Sequence, residues 1–214
     1  MRNFIALFRS SLPWLVWLLA PTVSSNIGCV NAPAPRTAQA GKTSPASRPA
    51  VRGIENFSKV SDSLYRGAQP TEAGYETLGN LGVHTIVTLR VLDHDSDELR
   101  QAGFQTYHIS FKHVHPESED VLKFLTIVTD KRNQPVFVHC REGEDRTGMM
   151  VAVYRMVVQN WPRDQAIREM KEMGFHRKWN KPIVRYLRHM DVGKIKQQLA
   201  RNVDLSRDGM NGME

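Results

Sequence analysis

"PVFVHCREGEDRTGMMVAVYRMV", residues 135–157, decides the fold and the chemistry together. "QPVFVH", residues 134–139, reads as a short apolar strand, and "TGMMVAVYRMVVQN", residues 147–160, as a helix buried nearly all round. Between them lies a tight loop. Strand, loop and buried helix in that order make a cup for a phosphate group: the loop N–H groups converge, and the helix N-terminus adds positive potential. Gly143 lets the backbone turn closely around an anion, and Arg146 is able to grip two oxygens with its planar fork. Cys140 stands at the bottom, where converging N–H dipoles and Arg146 favour thiolate over thiol. Such a thiolate is placed to attack phosphorus in line and form a phospho-cysteine, with donors already set for the developing charge. Thr147 Oγ1 is placed to stabilise the thiolate as it departs in a second, hydrolytic step. Arg141, Glu142, Glu144 and Asp145 lend their backbones to the phosphate while their side chains point outward.

Working outward, short β-type runs alternate with helical ones. "FSKV" and "SLYRG" read as two strands, and "TEAGYETLGNLG" as a helix N-capped by Thr71, with Tyr75, Leu78 and Leu81 on one side. "VHTIVTL" is a buried strand, "DSDELRQAG" a short helix and "QTYHISF" the next strand. "SEDVLKFLTIVTD" follows as a helix that turns Val121, Phe124, Leu125 and Val128 inward. Helices fill the C-terminal part. This alternation predicts an α/β fold, a central, mostly parallel sheet flanked by helices.

"HCREGEDRTG" resembles the signature of the cysteine-dependent protein tyrosine phosphatases: His-Cys, five residues, Arg, then Ser or Thr and Gly. "LYRGAQPT" at 64–71 and "GMMVAVYRMV" after the signature resemble the bacterial dual-specificity branch. The resemblance spans residues 54–200. It implies a protein tyrosine phosphatase-like fold and hydrolysis of phosphate monoesters in proteins, on phosphotyrosine or on phosphoserine and phosphothreonine. It needs no cofactor or metal. His139 becomes an orienter of the loop. The family also carries an Asp well upstream of its cysteine as general acid, and "YHISFKHVHP" has no acid there. Glu117 and Asp120, 23 and 20 residues before Cys140, are the nearly equal candidates. Glu119 and Asp145 stand behind them; first-turn acids such as Glu119 and Asp120 are also common for the helix dipole alone. Two rival readings stay open. One is a phosphatase of a non-protein ester such as a phosphoinositide or a lipid or sugar phosphate, although Glu142 and Glu144 disfavour a highly anionic substrate. The other is a phosphate-binding module without turnover.

The formal charge of +7 is concentrated outside this region: residues 1–53 carry six basic side chains and no acid, leaving +1 for the rest. A near-neutral folded part argues against a nucleic-acid partner. The apolar run Ser10–Val23 is short, interrupted by Pro13 and Pro21, and flanked by arginine, as in a secretory signal. It stops before "NIGC", which resembles the lipidation site of bacterial lipoproteins, with Asn26 where that family carries a leucine-like residue. An ordinary cleaved signal or an uncleaved anchor are the alternatives. The expected organisation is a signal at 1–29 with lipidation at Cys29, a Pro/Ala/Ser-rich tether at 30–53, a phosphatase domain at 54–200 and a polar, frayed tail at 201–214. The protein is then exported and held at the cell envelope through a membrane anchor. Cys29 and Cys140 are the only cysteines, so acylation of the first leaves a single thiol with no disulfide partner. His108, His113 and His115 sit close in sequence without the cysteine or paired acids that complete a metal site, and read as solvated loop residues. Trp161, Phe175 and Trp179 read as core, with a substrate wall as the alternative.

Overall fold

The computed structural model describes residues 51–92, 96–111, 117–176 and 181–211. The signal segment with Cys29, nearly all of the tether, and His113, His115 and Trp179 lie outside the described residues. The chain begins with an antiparallel hairpin, β1 (Ser58–Ser61) and β2 (Leu64–Gly67). There follow α1 (Glu72–Asn80), β3 (Thr85–Thr88), α2 (Ser96–Gln101), β4 (Gln105–His108) and α3 (Ser118–Thr129). Then come β5 (Val136–His139), α4 (Asp145–Val157), α5 (Arg163–Glu172), α6 (Lys181–His189) and α7 (Val192–Asn211). The sheet order is β1-β2-β5-β3-β4, and every pairing except β1 with β2 is parallel. The expected mostly parallel sheet flanked by helices is therefore present.

β5 lies in the middle, hydrogen-bonded to β2 on one side and β3 on the other. Side chains alternate across a strand, so its apolar run serves two cores at once. Val136 and Val138 join Val87 and the inward residues of α3 and α4 in the larger core, while Phe137 joins Ile86, Leu78, Leu99 and Phe104 in the smaller. Val121, Phe124, Leu125 and Val128 are buried, as their helical spacing predicts. Burying each contributes roughly 1.5–3 kcal/mol.

α4 is buried on every side from Thr147 to Val157. That includes Arg155, whose Nε and Nη2 donate to the two oxygens of Glu169 on α5 at 2.9 and 2.6 Å. Its Nη1 donates to Val60 O and to Gln159, and the guanidinium lies 4.2 Å from the centre of the Trp161 ring. Trp161 and Phe175 are thus core residues. An ion pair this deep adds little net stability compared with an apolar pair. Removing one partner alone, however, strands the other charge at a cost of about 3–5 kcal/mol.

Three expectations need correction. Leu81 is 41% exposed, because α1 ends at Asn80 and Leu81 is the capping residue beyond its inward face. Thr71 occupies the N-cap position, yet its hydroxyl donates to Gly53 O and makes no capping bond to α1. The polar tail is not frayed from residue 201: α7 runs on to Asn211. Once its earlier turns have formed, each added residue costs little, and no proline or glycine lies between residue 201 and Gly209.

Candidate active site

Cys140 is the first residue beyond β5, 3% exposed, at the edge where the parallel strands β2, β5 and β3 all end. That edge is where open parallel sheets bind ligands. The loop from Cys140 to Glu144 is held there by its carbonyls. His139 O accepts from Leu89 N at 2.8 Å, Arg141 O from Gln69 N at 3.2 Å, and Glu142 O from Asn56 Nδ2 at 2.8 Å. Gly143 O accepts from Arg66 Nη2, and His139 Nδ1 lies 3.3 Å from Cys140 O. Five successive carbonyls are thus turned outward to protein partners. The amides of Arg141 to Asp145 meet no acceptor among the described residues. A run of unpaired amides continued by the N-terminus of a helix is suited to an anion.

Gly143 is required twice over. Its φ of 72° is in the left-handed region, and a Cβ there would stand 2.4 Å from both Ala68 N and Gly67 C. Arg146 donates from Nη1 to Leu89 O at 3.1 Å. One prong of the guanidinium is fixed to the end of β3, and its remaining N–H groups are available for oxygens in the cup. Thr147 is buried, and its Oγ1 has no hydrogen-bond partner among the described residues. A buried hydroxyl without a partner calls for a ligand or a role in chemistry. His139 is fully buried and stacked on Phe137 at 5.7 Å, which fits an orienter better than a base.

The acids divide clearly. Asp145 accepts from His176 N at 2.8 Å, and Glu144 lies 3.1 Å from His176 Nδ1, so both carboxylates brace the segment after α5. Arg141 and Glu142 are exposed at the rim. Glu117 caps α3 without a side-chain capping bond. Asp120, in the first turn of the same helix, is held above the usual carboxylate range by burial and then by the neighbouring charge of Glu117, with Lys123 opposing. Among the described residues no hydrogen bond joins either residue to the loop that carries Cys140. His108 is not a solvated loop residue as expected: it ends β4, is partly buried and places its Nε2 2.8 Å from Arg90 O.

Four residues important to the loop escaped the sequence reading: Asn56, Arg66, Gln69 and His176. Arg66 and Gln69 lie within the stretch "LYRGAQPT" that carries part of the resemblance, but nothing in it ties either residue to the loop. His176 also lies close to Glu142 and Glu144, their donor atoms all within 4.8 Å, a grouping drawn from distant parts of the chain.

With this geometry in view, the comparisons with known proteins are informative. Residues 49–185 match the family model described as DSP-PTPase phosphatase fused to NAD+ kinase. The chain is 33% identical over 168 residues to the dual specificity protein phosphatase TpbA of Pseudomonas aeruginosa, covering 78% of this chain and 76% of that one. It belongs to the dual-specificity phosphatase family. Other members of this phosphatase family are similar as well. The inositol diphosphatase DSP5 of Arabidopsis thaliana is 31% identical, with 67% of this chain and 74% of that one covered. The crystal structure of P. aeruginosa TpbA superposes with a TM-score of 0.65 at 29% identity, over 74% of this chain and 98% of that one. The catalytic core of the PP-IP phosphatase SIW14 from Saccharomyces cerevisiae gives 0.62 at 27%, over 72% and 96%.

Two expectations follow from the site. Gly143→Ala forces the loop off β2 at a strain cost of about 1–3 kcal/mol or more. Turnover and vanadate affinity should both fall at least roughly tenfold, while the far-UV circular dichroism is unchanged; wild-type vanadate affinity in the variant would refute the close-packing argument. Asp120 is expected to shape stability with pH. Its raised value in the fold means that ionisation is opposed there, so its contribution is complete in acid and lost as pH rises through the raised value. Thermal unfolding from acid to neutral pH should show wild type falling behind Asp120→Asn as pH increases, and the opposite trend would remove the burial argument.

Proposed function

We propose that this phosphatase hydrolyses phosphotyrosine and phosphoserine or phosphothreonine in proteins through a phospho-cysteine at Cys140. The reading rests on one observation: the carbonyls from His139 to Gly143 are engaged by protein partners while the amides of Arg141 to Asp145, beside a buried thiol, meet no acceptor among the described residues. In the first step the Cys140 sulfur attacks phosphorus, the S–P bond forms and the P–O bond to the leaving group breaks. Arg146 and the loop amides take the charge of the equatorial oxygens. A carboxylic acid gives its proton to the leaving oxygen. Asp120 and Glu117 are proposed for this part, since Asp145 is engaged by His176. The raised value of Asp120 keeps it protonated to higher pH, as an acid requires. In the second step water attacks phosphorus and gives a proton to the carboxylate that donated its own in the first step, the S–P bond breaks, and the hydroxyl of Thr147 supports the departing thiolate.

A second reading, hydrolysis of an inositol diphosphate or another non-protein ester, is favoured by the names of several relatives. The charge at the rim supports the first. Glu142 is exposed on the loop, a negative charge that disfavours a ligand with many phosphates, whereas Glu144 is largely buried against His176. A TpbA variant is solved with phosphotyrosine bound, which fits the same reading. A panel of phosphotyrosine and phosphoserine peptides, a diphosphoinositol polyphosphate, a phosphoinositide and a sugar phosphate separates the two. Peptides should exceed the others by at least roughly tenfold in kcat/KM, about 1.4 kcal/mol of transition-state stabilisation. Cys140→Ser should abolish all turnover while still binding tungstate. Fastest turnover of the diphosphoinositol compound would overturn the protein-substrate reading.

For the N-terminal segment we propose export, acylation of Cys29 and a tether over residues 30–53 that keeps the phosphatase at the envelope. Among the described residues no helix is long and apolar enough to cross a membrane. Expressed in a bacterial host, the protein should partition into detergent and Cys29→Ala should not; mass spectrometry showing an unmodified Cys29 in the mature chain would refute the anchor.

A further inference from the structure

A second concentration of positive charge lies on elements that contribute nothing to the cup. Lys171, at the end of α5, and Lys181, Arg185, Arg188 and His189 along α6 line a groove of about 380 Å³, with Val184 as its apolar member. No carboxylate lines it. None of the five side chains makes an ion pair or hydrogen bond among the described residues. Unpaired cations on a surface are ordinary when scattered. Here they are stacked on one helix face, Lys181 with Arg185 and Arg185 with Arg188 and His189, at spacings where like charges destabilise a helix by about 0.2–0.5 kcal/mol per pair.

The helix dipole accounts for part of this arrangement only. Arg188 and His189 lie in the last turn of α6, where positive charge is favourable. Lys181 is its first residue, where positive charge is unfavourable, and Lys171 belongs to another helix. Nor does overall composition explain it. Residues 181–201 carry six lysines and arginines against Asp191 alone, a charge of +5, while the rest of the chain after residue 53 carries −4. Shape then narrows the ligand. The cations converge across a concavity between α5 and α6, whose volume is at the lower end of the range for small-molecule sites, about 300–1,000 Å³. A flat lipid surface would engage only those side chains that share a plane. A compact ligand with several phosphate groups would engage all five.

We propose that the α5–α6 groove is a non-catalytic binding site for a compact polyphosphate anion, distinct from the cup at Cys140. Charge-assisted bonds from Arg185 and Arg188 hold the phosphates, with Lys171 and Lys181 closing either side. The test is calorimetric titration of inorganic tripolyphosphate into the full chain with the cup occupied by vanadate. One saturable site is expected, weakened by added salt. Arg185→Gln combined with Arg188→Gln should weaken it at least roughly tenfold, while turnover of p-nitrophenyl phosphate and the melting temperature stay at wild-type values. Binding that vanadate abolishes would place the ligand in the cup and overturn the proposal. Undiminished binding by the double variant would overturn it too. So would an absence of tripolyphosphate binding beside sedimentation with phosphatidylglycerol vesicles that the double variant loses, which would assign the groove to a membrane.

Discussion

The backbone of Gly143 rests against the backbone of Gly67 and Ala68 with no room for a single carbon between them. Everything in the site depends on that contact. It sets the loop on the end of β2, and Arg66 fixes it there by donating to Gly143 O from a fully buried position. A buried guanidinium is costly unless its charge is used. Here it draws one carbonyl out of the cup, which turns the next amide inward. Asn56, Gln69 and Leu89 repeat this action at the neighbouring carbonyls. The nest is therefore built from outside, by donors that never face the phosphate.

A rigid frame is needed for such a device, and the central position of β5 supplies it. Paired on both sides and packed on both faces, β5 has no freedom to shift register, so the residue after it is delivered to one place. On the far side of the loop, α4 is held by its own burial and by the Arg155–Glu169 pair to α5. His176, beyond α5, returns to Glu144 and Asp145 at the start of α4. The loop is thus clamped between a strand and a helix that are each fixed independently.

Sequence reading reached the parts of this arrangement that are local. Val136 to Val157 announce strand, loop and buried helix through apolarity and one glycine, and Cys140, Arg146 and Thr147 follow from spacing within a single loop. The alternation of elements was equally legible, because burial on one helix face or both strand faces leaves a period. What stayed hidden depends on residues far apart. Asn56 and Arg66 reach the loop across 86 and 77 positions, and nothing in their own surroundings says which carbonyl they serve. The acids were ambiguous for a related reason. Asp145 sits inside the signature yet is engaged by a histidine 31 positions on, and only three-dimensional proximity reveals that engagement. Leu81 misled because periodicity continues past the point where a helix stops.

The long spans of these ties have a kinetic meaning. Contacts between distant positions form late, after loop-closure entropy has been met by the rest of the structure. The donors come from the first part of the domain and the carbonyls from its middle, while α4 and His176, which hold the far side of the loop, come later in the chain. During synthesis the thiol emerges after the donors of the nest but before α4 and His176, which complete its shelter. For that interval Cys140 is an ordinary exposed cysteine, and the chain has only one other cysteine, Cys29, with which it could mispair. Reactivity toward phosphate and protection from chance oxidation therefore arrive together, when α4 and His176 close the far side of the loop.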